Sequence, residues 1–340
     1  MYINEEISTL VAEFEKPLKK WRNHRVLVTG STGHLGYYFS NFLLQSNKDL
    51  DLHLELTFTS KGFMDNSFTK YKSDYVYVQG NILDEGFIDN LGQFDCIIHL
   101  AGYAQPSIFM ADPTSTIKIN TEIVSCLLKK LNPLGSFLFL SSSEVYANTQ
   151  KSLNQEDINS CINPNHPRAA YILSKLLGES ICFTESTNSN KNIKIARLSM
   201  VYGPGIKKND KRVISQFLYQ AIFDDKIQLL DQGKAQREYL YILDAVRALL
   251  NIIFFGKEPI YNIGSGISGS ISIIEVAKTI ANLANVNIET PENDFNYLGA
   301  RNQVGLDISR YESEFGFPLK TNFEAGISNT FNWIQSEWTI

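Results

Sequence analysis

Short apolar runs alternate with helical stretches from Val26 onward, and no other feature of the sequence constrains the fold as much. Most of these runs are continuously apolar, which is typical of strands buried on both faces of a parallel sheet. Parallel strands need a crossover connection, usually a helix, so the alternation predicts βαβ units and a doubly wound α/β fold. The predicted strands are Arg25–Thr29, Leu52–Thr59, Tyr75–Gln79, Cys96–Leu100, Ser136–Ser141 and Lys194–Leu198. The predicted helices are Leu35–Gln45, Ser115–Leu131 and Ala169–Phe183.

The rhythm of strands and helices breaks into shorter elements after about residue 200. This change predicts a smaller C-terminal α/β lobe, with a pocket between the lobes beyond the carboxyl ends of the strands. We therefore expect a sheet domain over residues 24–198 and a lobe over residues 199–340, some segments of which return to the sheet domain.

Residues 1–23 form an N-terminal extension with apolar side chains three and four positions apart, which predicts an amphipathic helix. We expect this helix to pack on the domain or on a second subunit. A membrane-surface helix would need a basic polar face, and this one is rich in Glu. The apolar stripe consists of Ile3, Ile7, Leu10, Val11, Phe14, Leu18 and Trp21.

Composition excludes several classes of protein. The formal net charge of −5 argues against a general nucleic-acid surface, which needs a basic field. No window approaches the roughly 20 apolar residues of a membrane span, and the acidic N-terminus does not suit a signal peptide. The cysteines Cys96, Cys126, Cys161 and Cys182 are far apart, which favours reduced thiols in a cytoplasmic protein. The five histidines show no ligand spacing, so we expect no metal site.

The sharpest motif is a strand that runs into three glycines, Gly30, Gly33 and Gly36, and then into a helix. Glycine lets backbone amides approach a pyrophosphate without a Cβ in the way, and the helix N-terminus adds free N–H groups and a positive dipole. The spacing is G-x-x-G-x-x-G, and no G-K-[S/T] follows, so the loop is not a P-loop. A tight turn could also use three glycines, but the flanking strand and helix favour nucleotide binding.

The second strand lacks the acid that usually holds the adenosine ribose at its end. It ends Thr59-Ser60-Lys61, and Ser60 with Lys61 could accommodate a 2′-phosphate, which would favour NADP. Alternatively, Lys61 is a solvated charge and the main chain holds the ribose. We expect NAD, and NADP stays open.

Two further motifs carry candidate chemistry. Ser142 and Glu144 follow the fifth strand, and Tyr171 and Lys175 lie four apart, on one face of a helix. A nearby ammonium lowers the pKa of a phenol, and a tyrosine so tuned can take a proton from a substrate hydroxyl during hydride transfer. A Y-x-x-x-K pair alone has little value, but this pair follows a glycine loop and a strand-end serine cluster.

The chain resembles the extended short-chain dehydrogenase/reductase family, the NAD-dependent epimerases, dehydratases and decarboxylases of nucleotide sugars. The resemblance covers about residues 24–336 and rests on motifs in a fixed order. These are the glycine loop, His99-Leu-Ala-Gly102, Asp112-Pro113 with Asn120, the serine cluster, Y-x-x-x-K, Arg197-Leu-Ser-Met-Val-Tyr-Gly-Pro-Gly205, Gly233-Lys-Ala-Gln-Arg237-Glu-Tyr-Leu-Tyr-Ile-Leu-Asp244, Tyr261-Asn-Ile-Gly264 and Asp307-Ile-Ser with Phe315-Gly-Phe.

The resemblance implies a Rossmann-type domain with tightly held NAD(P), a C-terminal lobe that binds a nucleoside-diphosphate sugar, and a homodimer through the helices near Ser115–Leu131 and Ala169–Phe183. The implied catalytic residues are Ser142, Glu144, Tyr171, Lys175 and Arg301. The implied cofactor-binding residues are Gly30, Thr32, Gly33, His34, Leu35, Gly36, Ser60, Asn81, Ile82, Leu100, Ala101, Gly102, Asn120, Tyr171 and Lys175. The implied substrate-binding residues are Ala104, Gln105, Pro106, Ser143, Arg168, Met200, Arg212, Arg237 and Arg301.

Within the family, the run Ser142-Ser-Glu144-Val-Tyr146 is similar to that of UDP-glucuronate decarboxylases, whereas many dehydratases carry an Asp-Glu pair that Ser143 breaks here. We therefore expect a lyase that converts UDP-glucuronate to UDP-xylose through a 4-keto intermediate, with internal return of hydride. The alternatives are a 4,6-dehydratase or epimerase for surface polysaccharide synthesis, and a non-catalytic binding protein on the same fold. Met200 and Asn81 stand where the family usually has Asn and Asp, which marks a divergent member, and Ser199 could compensate for Met200.

Each candidate has a plainer interpretation. Glu144 could cap or pair within the strand-end turn, and Arg168 could bind a carbonyl. Arg212 could be a surface charge, and Arg301 lies in a region of weak pattern. We expect Asp244 to be a helix cap or structural partner. Three aromatic residues are predicted to be core, namely Phe137, Phe139 and Tyr202.

Overall fold

The computed structural model describes residues 2–64, 68, 71, 73–149, 151–158, 162–266, 269–292, 305–316 and 320–338. Its strands are β1 (Arg25–Thr29), β2 (Glu55–Ser60), β3 (Tyr75–Gln79), β4 (Phe94–His99), β5 (Leu131–Ser142), β6 (Leu153–Asn154), β7 (Asn192–Leu198), β8 (Met200–Tyr202), β9 (Lys226–Gln228), β10 (Gln236–Tyr241), β11 (Ile260–Ile263), β12 (Ser270–Ser272), β13 (Asn287–Glu289) and β14 (Gly305–Leu306). Its α-helices are α1 (Tyr2–Glu13), α2 (Glu15–Leu18), α3 (His34–Asp49), α4 (Pro106–Ala111), α5 (Pro113–Asn120), α6 (Glu122–Lys129), α7 (Ala169–Asn188), α8 (Val213–Phe223), α9 (Ile242–Phe255), α10 (Ile273–Ala284), α11 (Ser309–Phe315) and α12 (Phe323–Trp338).

The central sheet has seven strands in the order β11-β7-β5-β4-β1-β2-β3. The pairings of β1 with β2 and β4, of β2 with β3 and of β4 with β5 are parallel. The strand order reverses beside β1, and in sheets of this kind ligands bind outside the carboxyl ends of the strands at that point. The predicted doubly wound, Rossmann-type α/β fold is thus confirmed.

The strand predictions hold best where the chain has no competing turn. The first and third predicted strands match β1 and β3 to the residue, whereas β2 begins three residues later than predicted. Asp51 and His53 adopt positive φ values of 50° and 54°, so the chain is still turning there. Two predicted core residues of β5, Phe137 and Phe139, are buried as expected.

The single helix predicted over Ser115–Leu131 is wrong, because the structure has two helices there, α5 and α6. The break falls at Thr121, whose φ and ψ are −126° and −76°. Its hydroxyl donates to the carbonyl of Ile117 at 2.8 Å, and such backward bonds from Thr bend helices. Leu131 already belongs to β5.

The chain forms two compact units. The first unit comprises Met1–Ser142, Arg168–Arg197 and Val246–Tyr261, and it contains most of the central sheet. The second unit comprises Ser143–Pro167, Leu198–Ala245 and Asn262–Ile340. The smaller sheets have the orders β12-β10-β8, β13-β9 and β14-β6, and all of their strands lie in the second unit.

Helix α1 belongs to the first unit and packs on α3. All seven residues of the apolar stripe are buried. The Tyr38 hydroxyl of α3 donates to Glu6 at 2.8 Å, and Arg247 donates to Glu13 at 2.9 Å. In the part of the chain that the structure describes, no helix combines the length and the apolar character needed to cross a bilayer.

Candidate active site

The glycine loop folds tightly back on itself at the end of β1. Gly30 has φ +67°, and a Cβ there would lie 2.7 Å from the backbone of Ala101, so both conformation and space require glycine. A Cβ on Gly36 would collide with the carbonyl oxygen of Gly30. The loop therefore rests on the chain that follows β4, and the first turn of α3 rests on the loop.

The start of α3 is suited to an anion. The helix begins at His34, and Gly33 at its N-cap has no side chain to accept from the amides of the first turn. Those amides and the helix dipole together favour negative charge, as in dinucleotide-binding turns. Because glycine leaves the approach to these amides open, the loop fits the pyrophosphate of a dinucleotide.

We predict that Gly36→Ala destabilises the first unit by about 2 kcal/mol, because the added methyl group forces the loop and α3 apart. Denaturant unfolding followed by circular dichroism measures the change. Gly102→Ala is the matched control, since a Cβ there would meet no atom closer than 3.9 Å. Equal stability of the two variants would contradict the close approach of Gly36 to Gly30.

The end of β2 is tied to the glycine loop by side chains. The hydroxyls of Ser60 and Thr32 are 2.5 Å apart, so Ser60 already has a partner in the loop. Lys61 is exposed, and its Nζ donates to the Tyr103 hydroxyl at 2.8 Å. Sequence reasoning considered Ser60 and Lys61 but missed Tyr103, because no local pattern connects residues 42 positions apart.

A buried hydrogen-bond chain joins the ends of β1 and β4. His99 Nε2 lies 3.2 Å from the carbonyl of Ile119, which can only accept, so Nε2 carries the proton. Nδ1 then accepts from the Thr29 hydroxyl at 2.8 Å, and Thr29 accepts from the Ala101 amide. Burial and the charge of Lys175 lower the pKa of His99 to about 3, which keeps the ring neutral. These hydrogen bonds hold the backbone of Ala101 against Gly30.

The side-chain ammonium of Lys175, a residue of α7, lies beside the carboxyl end of β5. Its Nζ donates to the carbonyl of Leu140 at 2.7 Å and is 5.8 Å from the centroid of the Tyr171 ring. A Cβ placed on Gly102 would be 3.9 Å from the same nitrogen. The first unit therefore brings the Tyr-Lys pair and the chain that follows β4 to one place. Burial lowers the pKa of Lys175 to about 8.

Tyr171 is held flat against an aromatic partner. The Phe109 ring of α4 stacks on it with centroids 4.4 Å apart and an interplanar angle of 10°. The Arg168 guanidinium lies 5.9 Å from the centroid of the same Phe109 ring. Both Tyr171 and Phe109 are buried. The stack restricts the phenol to one orientation, and no local sequence pattern predicted it.

Two predicted cofactor residues are built into the packing of the first unit. Asn120 is 1% exposed, and its amide donates to Ser174 of α7 at 2.9 Å and to Thr116 at 3.0 Å. Ile82 is 6% exposed and belongs to the hydrophobic core. A role for Asn120 and Ile82 in cofactor binding stays a prediction. The Asn81 carboxamide oxygen accepts from the Leu83 amide at 3.2 Å.

The second unit contains several of the other predicted site residues. Ser143 and Glu144 form a half-buried turn of 3₁₀ helix directly after β5. Arg212 donates to the carboxylate of Asp210 and, at 3.2 Å, to the carbonyl of Val201. This pairing with Asp210 was missed, although the two residues are only two positions apart. Arg301 lies outside the described residues.

Several remaining residues have clear positions. Met200 is the half-buried first residue of β8, and Arg237 donates to the carbonyl of Gln236 at 2.7 Å. Asp244 accepts from the amides of Lys320 and Thr321, which confirms the expected structural role. The remaining substrate candidates of the first unit, Ala104, Gln105 and Pro106, form the entry to α4.

Comparison with known proteins identifies the class. The family model described as NAD dependent epimerase/dehydratase family matches residues 26–264, and the chain belongs to this family. The resemblance predicted from the motifs is thereby confirmed.

Particular relatives refine the picture. The chain is 26% identical over 293 residues to UDP-glucuronic acid decarboxylase 1 of Xenopus tropicalis, covering 83% of this chain and 66% of that protein, just under two thirds of its length. It is 27% identical over 314 residues to UDP-glucuronic acid decarboxylase 6 of Arabidopsis thaliana, covering 90% and 87%. The fold is similar to that of a dTDP-glucose 4,6-dehydratase from Streptomyces venezuelae solved with NAD, with a TM-score of 0.77, 21% identity and coverage of 93% and 98%.

Proposed function

We propose that this protein decarboxylates UDP-glucuronate to UDP-xylose with NAD as a catalytic cofactor. The observation that carries the proposal is the buried Tyr171–Lys175 pair beside Gly102, together with the earlier Ser143-Glu144 turn, which has a single carboxylate where an Asp-Glu pair would have two. Two carboxylates at that turn would suit elimination of a hydroxyl. A single carboxylate instead suits a reaction in which the substrate loses its own carboxylate as CO2. The decarboxylase relatives support the same reaction.

The start of α3 suits the pyrophosphate of NAD, because Gly33 at the N-cap has no side chain that would accept from the amides of the first turn. NAD, when bound, supplies a reversible hydride acceptor for C4 of the sugar. Ser60 and Lys61, at the end of β2, are the residues that would meet the adenosine ribose. Ser60 is hydrogen-bonded to Thr32 and Lys61 to Tyr103, and the similar dTDP-glucose 4,6-dehydratase solved with NAD supports NAD as the cofactor.

Tyr171 is the proposed base for the first step. Its phenolate takes the proton of the sugar 4-hydroxyl, and the Lys175 ammonium favours that phenolate through its positive charge. Ser142, at the end of β5, donates a hydrogen bond to the oxygen at C4. The flat stack on Phe109 keeps the phenol pointed in one direction while the proton moves.

The second step uses the chemistry of the substrate. Once C4 is a ketone, the carboxylate on C5 belongs to a β-keto acid, and its C–C bond breaks with release of CO2. The bonding electrons enter the enolate, whose oxygen accepts hydrogen bonds from Ser142 and Tyr171. Glu144 and Arg301 are proposed to guide the proton that reaches C5. The ketone is then reduced again, and Tyr171 returns the proton to its oxygen.

The substrate diphosphate is proposed to bind to Arg212 and Arg237 of the second unit. A guanidinium offers a planar fork that suits phosphate oxygens. Asp210 holds the guanidinium of Arg212 in place, which limits the orientations that the fork can adopt.

The sugar of the substrate is proposed to contact Arg168, Ala104, Gln105 and Pro106. Because the thioether of Met200 cannot replace an amide, the hydroxyl of Ser199 is the proposed substitute.

The test is an incubation of the pure protein with UDP-glucuronate and NAD, in which CO2 and UDP-pentose are measured together. We expect equal amounts of CO2 and UDP-pentose. In a parallel incubation with a hexose nucleotide and NAD, a 4-keto-6-deoxy product would identify a dehydratase. UDP-glucuronate inverted at C4, without CO2, would identify an epimerase. Failure to bind any dinucleotide would leave a non-catalytic binding protein.

We also propose a homodimer formed through α5 and α7, which carry exposed apolar side chains that include Ile117, Leu173, Leu177 and Phe183. We predict that Leu177→Glu shifts the protein from dimer to monomer, because it places a charge on this face. Sedimentation velocity measures the change. Leu134→Glu, at a side chain 79% exposed near the start of β5, should remain dimeric. A wild-type monomer would contradict the dimer.

A further inference from the structure

A buried polar network lies one helical turn beyond Lys175. Glu179 is 4% exposed, and the Arg197 guanidinium of β7 donates to its carboxylate from Nε at 2.9 Å and from Nη2 at 2.7 Å. The hydroxyl of Ser141 donates to the same carboxylate. Burying a carboxylate and a guanidinium carries a large desolvation cost that pairing must offset, so the pair does not stabilise the fold merely by its presence.

The network reaches the candidate active site through β5. Ser141 stands between Leu140, whose carbonyl accepts from Lys175, and Ser142, the proposed oxyanion donor. The Ser141–Glu179 hydrogen bond therefore fixes the end of β5 against α7 where Lys175 and Ser142 must be aligned.

The charge of Lys175 depends on the same network. The ammonium has one carbonyl at 2.7 Å and the ring of Phe139 at 5.0 Å, and burial alone disfavours its charged form. Glu179 acts in the opposite direction and raises the pKa of Lys175. Of the other titratable groups near it, His99 is neutral, and burial raises the pKa of the Cys182 thiol, which keeps it uncharged.

We propose that Glu179 is a positioning residue, which, with Ser141 and Arg197, holds the end of β5 in register with α7 and sets the surroundings of Lys175 one helical turn away. This inference rests on the proposed role of Tyr171 and Lys175. Without Glu179, Lys175 loses its proton at a lower pH, and the phenolate of Tyr171 loses the charge that favours it. The unpaired Arg197 guanidinium would shift Lys175 in the same direction.

The test measures the titration of Lys175 by NMR, in protein labelled with carbon-13 at the lysine ε position. The Lys175 signal is assigned by its absence from the spectrum of Lys175→Arg. In Glu179→Gln we expect Lys175 to titrate at least about one pH unit lower than in the wild type. Glu185→Gln is the matched control, because Glu185 is on the same helix but pairs with Lys191. Its Lys175 should titrate as in the wild type.

Two more variants separate charge from geometry. Ser141→Ala should lower kcat about tenfold while Lys175 titrates as before, because it removes only the hydrogen bond that sets the register. Glu179→Gln combined with Arg197→Gln leaves no unpaired buried charge, and its Lys175 should titrate between the single variant and the wild type. This double variant decides the matter if Glu179→Gln does not fold.

An unchanged Lys175 titration in folded Glu179→Gln, or in the double variant if only that one folds, would overturn the inference. The lysine titration needs no substrate, so it remains readable if the protein releases no CO2. Absence of CO2 would contradict the proposed reaction, whereas the Lys175 titration alone supports or contradicts the role of Glu179. With an active enzyme, the alkaline limb of the kcat profile should move to lower pH by the same amount as the titration.

Discussion

Replacing Tyr171 by Phe is expected to lower the turnover of UDP-glucuronate by about 10³-fold while the fold stays intact. A positioned acid–base group contributes about 10²–10⁴ in rate, and Tyr171 is proposed to move the 4-hydroxyl proton in both directions. Phenylalanine keeps the ring, so the stack on Phe109 survives and the loss isolates the hydroxyl. Steady-state release of CO2 measures the effect, and near-ultraviolet circular dichroism checks the packing.

Tyr38→Phe provides the matched control for this prediction. It removes the hydroxyl of another buried tyrosine of the first unit, whose partner is Glu6 of the N-terminal helix. Its turnover should stay within about twofold of the wild type, as is usual for a change remote from the chemistry. If Tyr171→Phe likewise retained turnover within a few-fold, the assignment of the base would be wrong.

Replacing Glu144 by Gln is expected to separate oxidation of the sugar from formation of the product. Glu144 is proposed to act after C4 has been oxidised, so the cofactor should still be reduced while UDP-pentose formation falls by about 10²-fold. Rapid mixing with detection of the near-ultraviolet absorbance of the reduced nicotinamide measures the first event. Chromatography of the quenched mixture measures the second.

Glu85→Gln, in an exposed turn of the first unit, is the control for a lost surface carboxylate. It should change neither the reduction nor the product yield. If Glu144→Gln lost cofactor reduction and product formation to the same extent, Glu144 would act before or during oxidation instead. Full activity of Glu144→Gln would leave only the plainer interpretation, a carboxylate that pairs within the strand-end turn.

Local sequence patterns predicted most strands of the central sheet and the glycine loop. The continuously apolar strands and the glycine loop follow from side-chain chemistry within a few residues, and β1 and β3 match the prediction to the residue. The break between α5 and α6 was missed because no spacing rule predicts the backward hydrogen bond of Thr121 or the packing of α7 against this point. A Cβ on Gly178 of α7 would collide with the carbonyl of Asn120, so α7 packs directly on the end of α5.

The same distinction applies to the candidate site. The spacing of Tyr171 and Lys175 predicted a shared face, and both residues lie in one buried region. Glu179 follows Lys175 by four residues, so helical spacing also predicts that the two residues share a face of α7. Its partner Arg197 and the stacked Phe109 lie on other elements, and no spacing rule connects them to α7.

The most direct test of the proposed reaction is a turnover of UDP-glucuronate carrying deuterium at C4, in ordinary water with NAD. We expect UDP-xylose that keeps the deuterium at C4 and takes one proton from the solvent at C5. Deuterium washed into the solvent, or found on another carbon of the sugar, would contradict the internal return of hydride on which the proposed reaction depends.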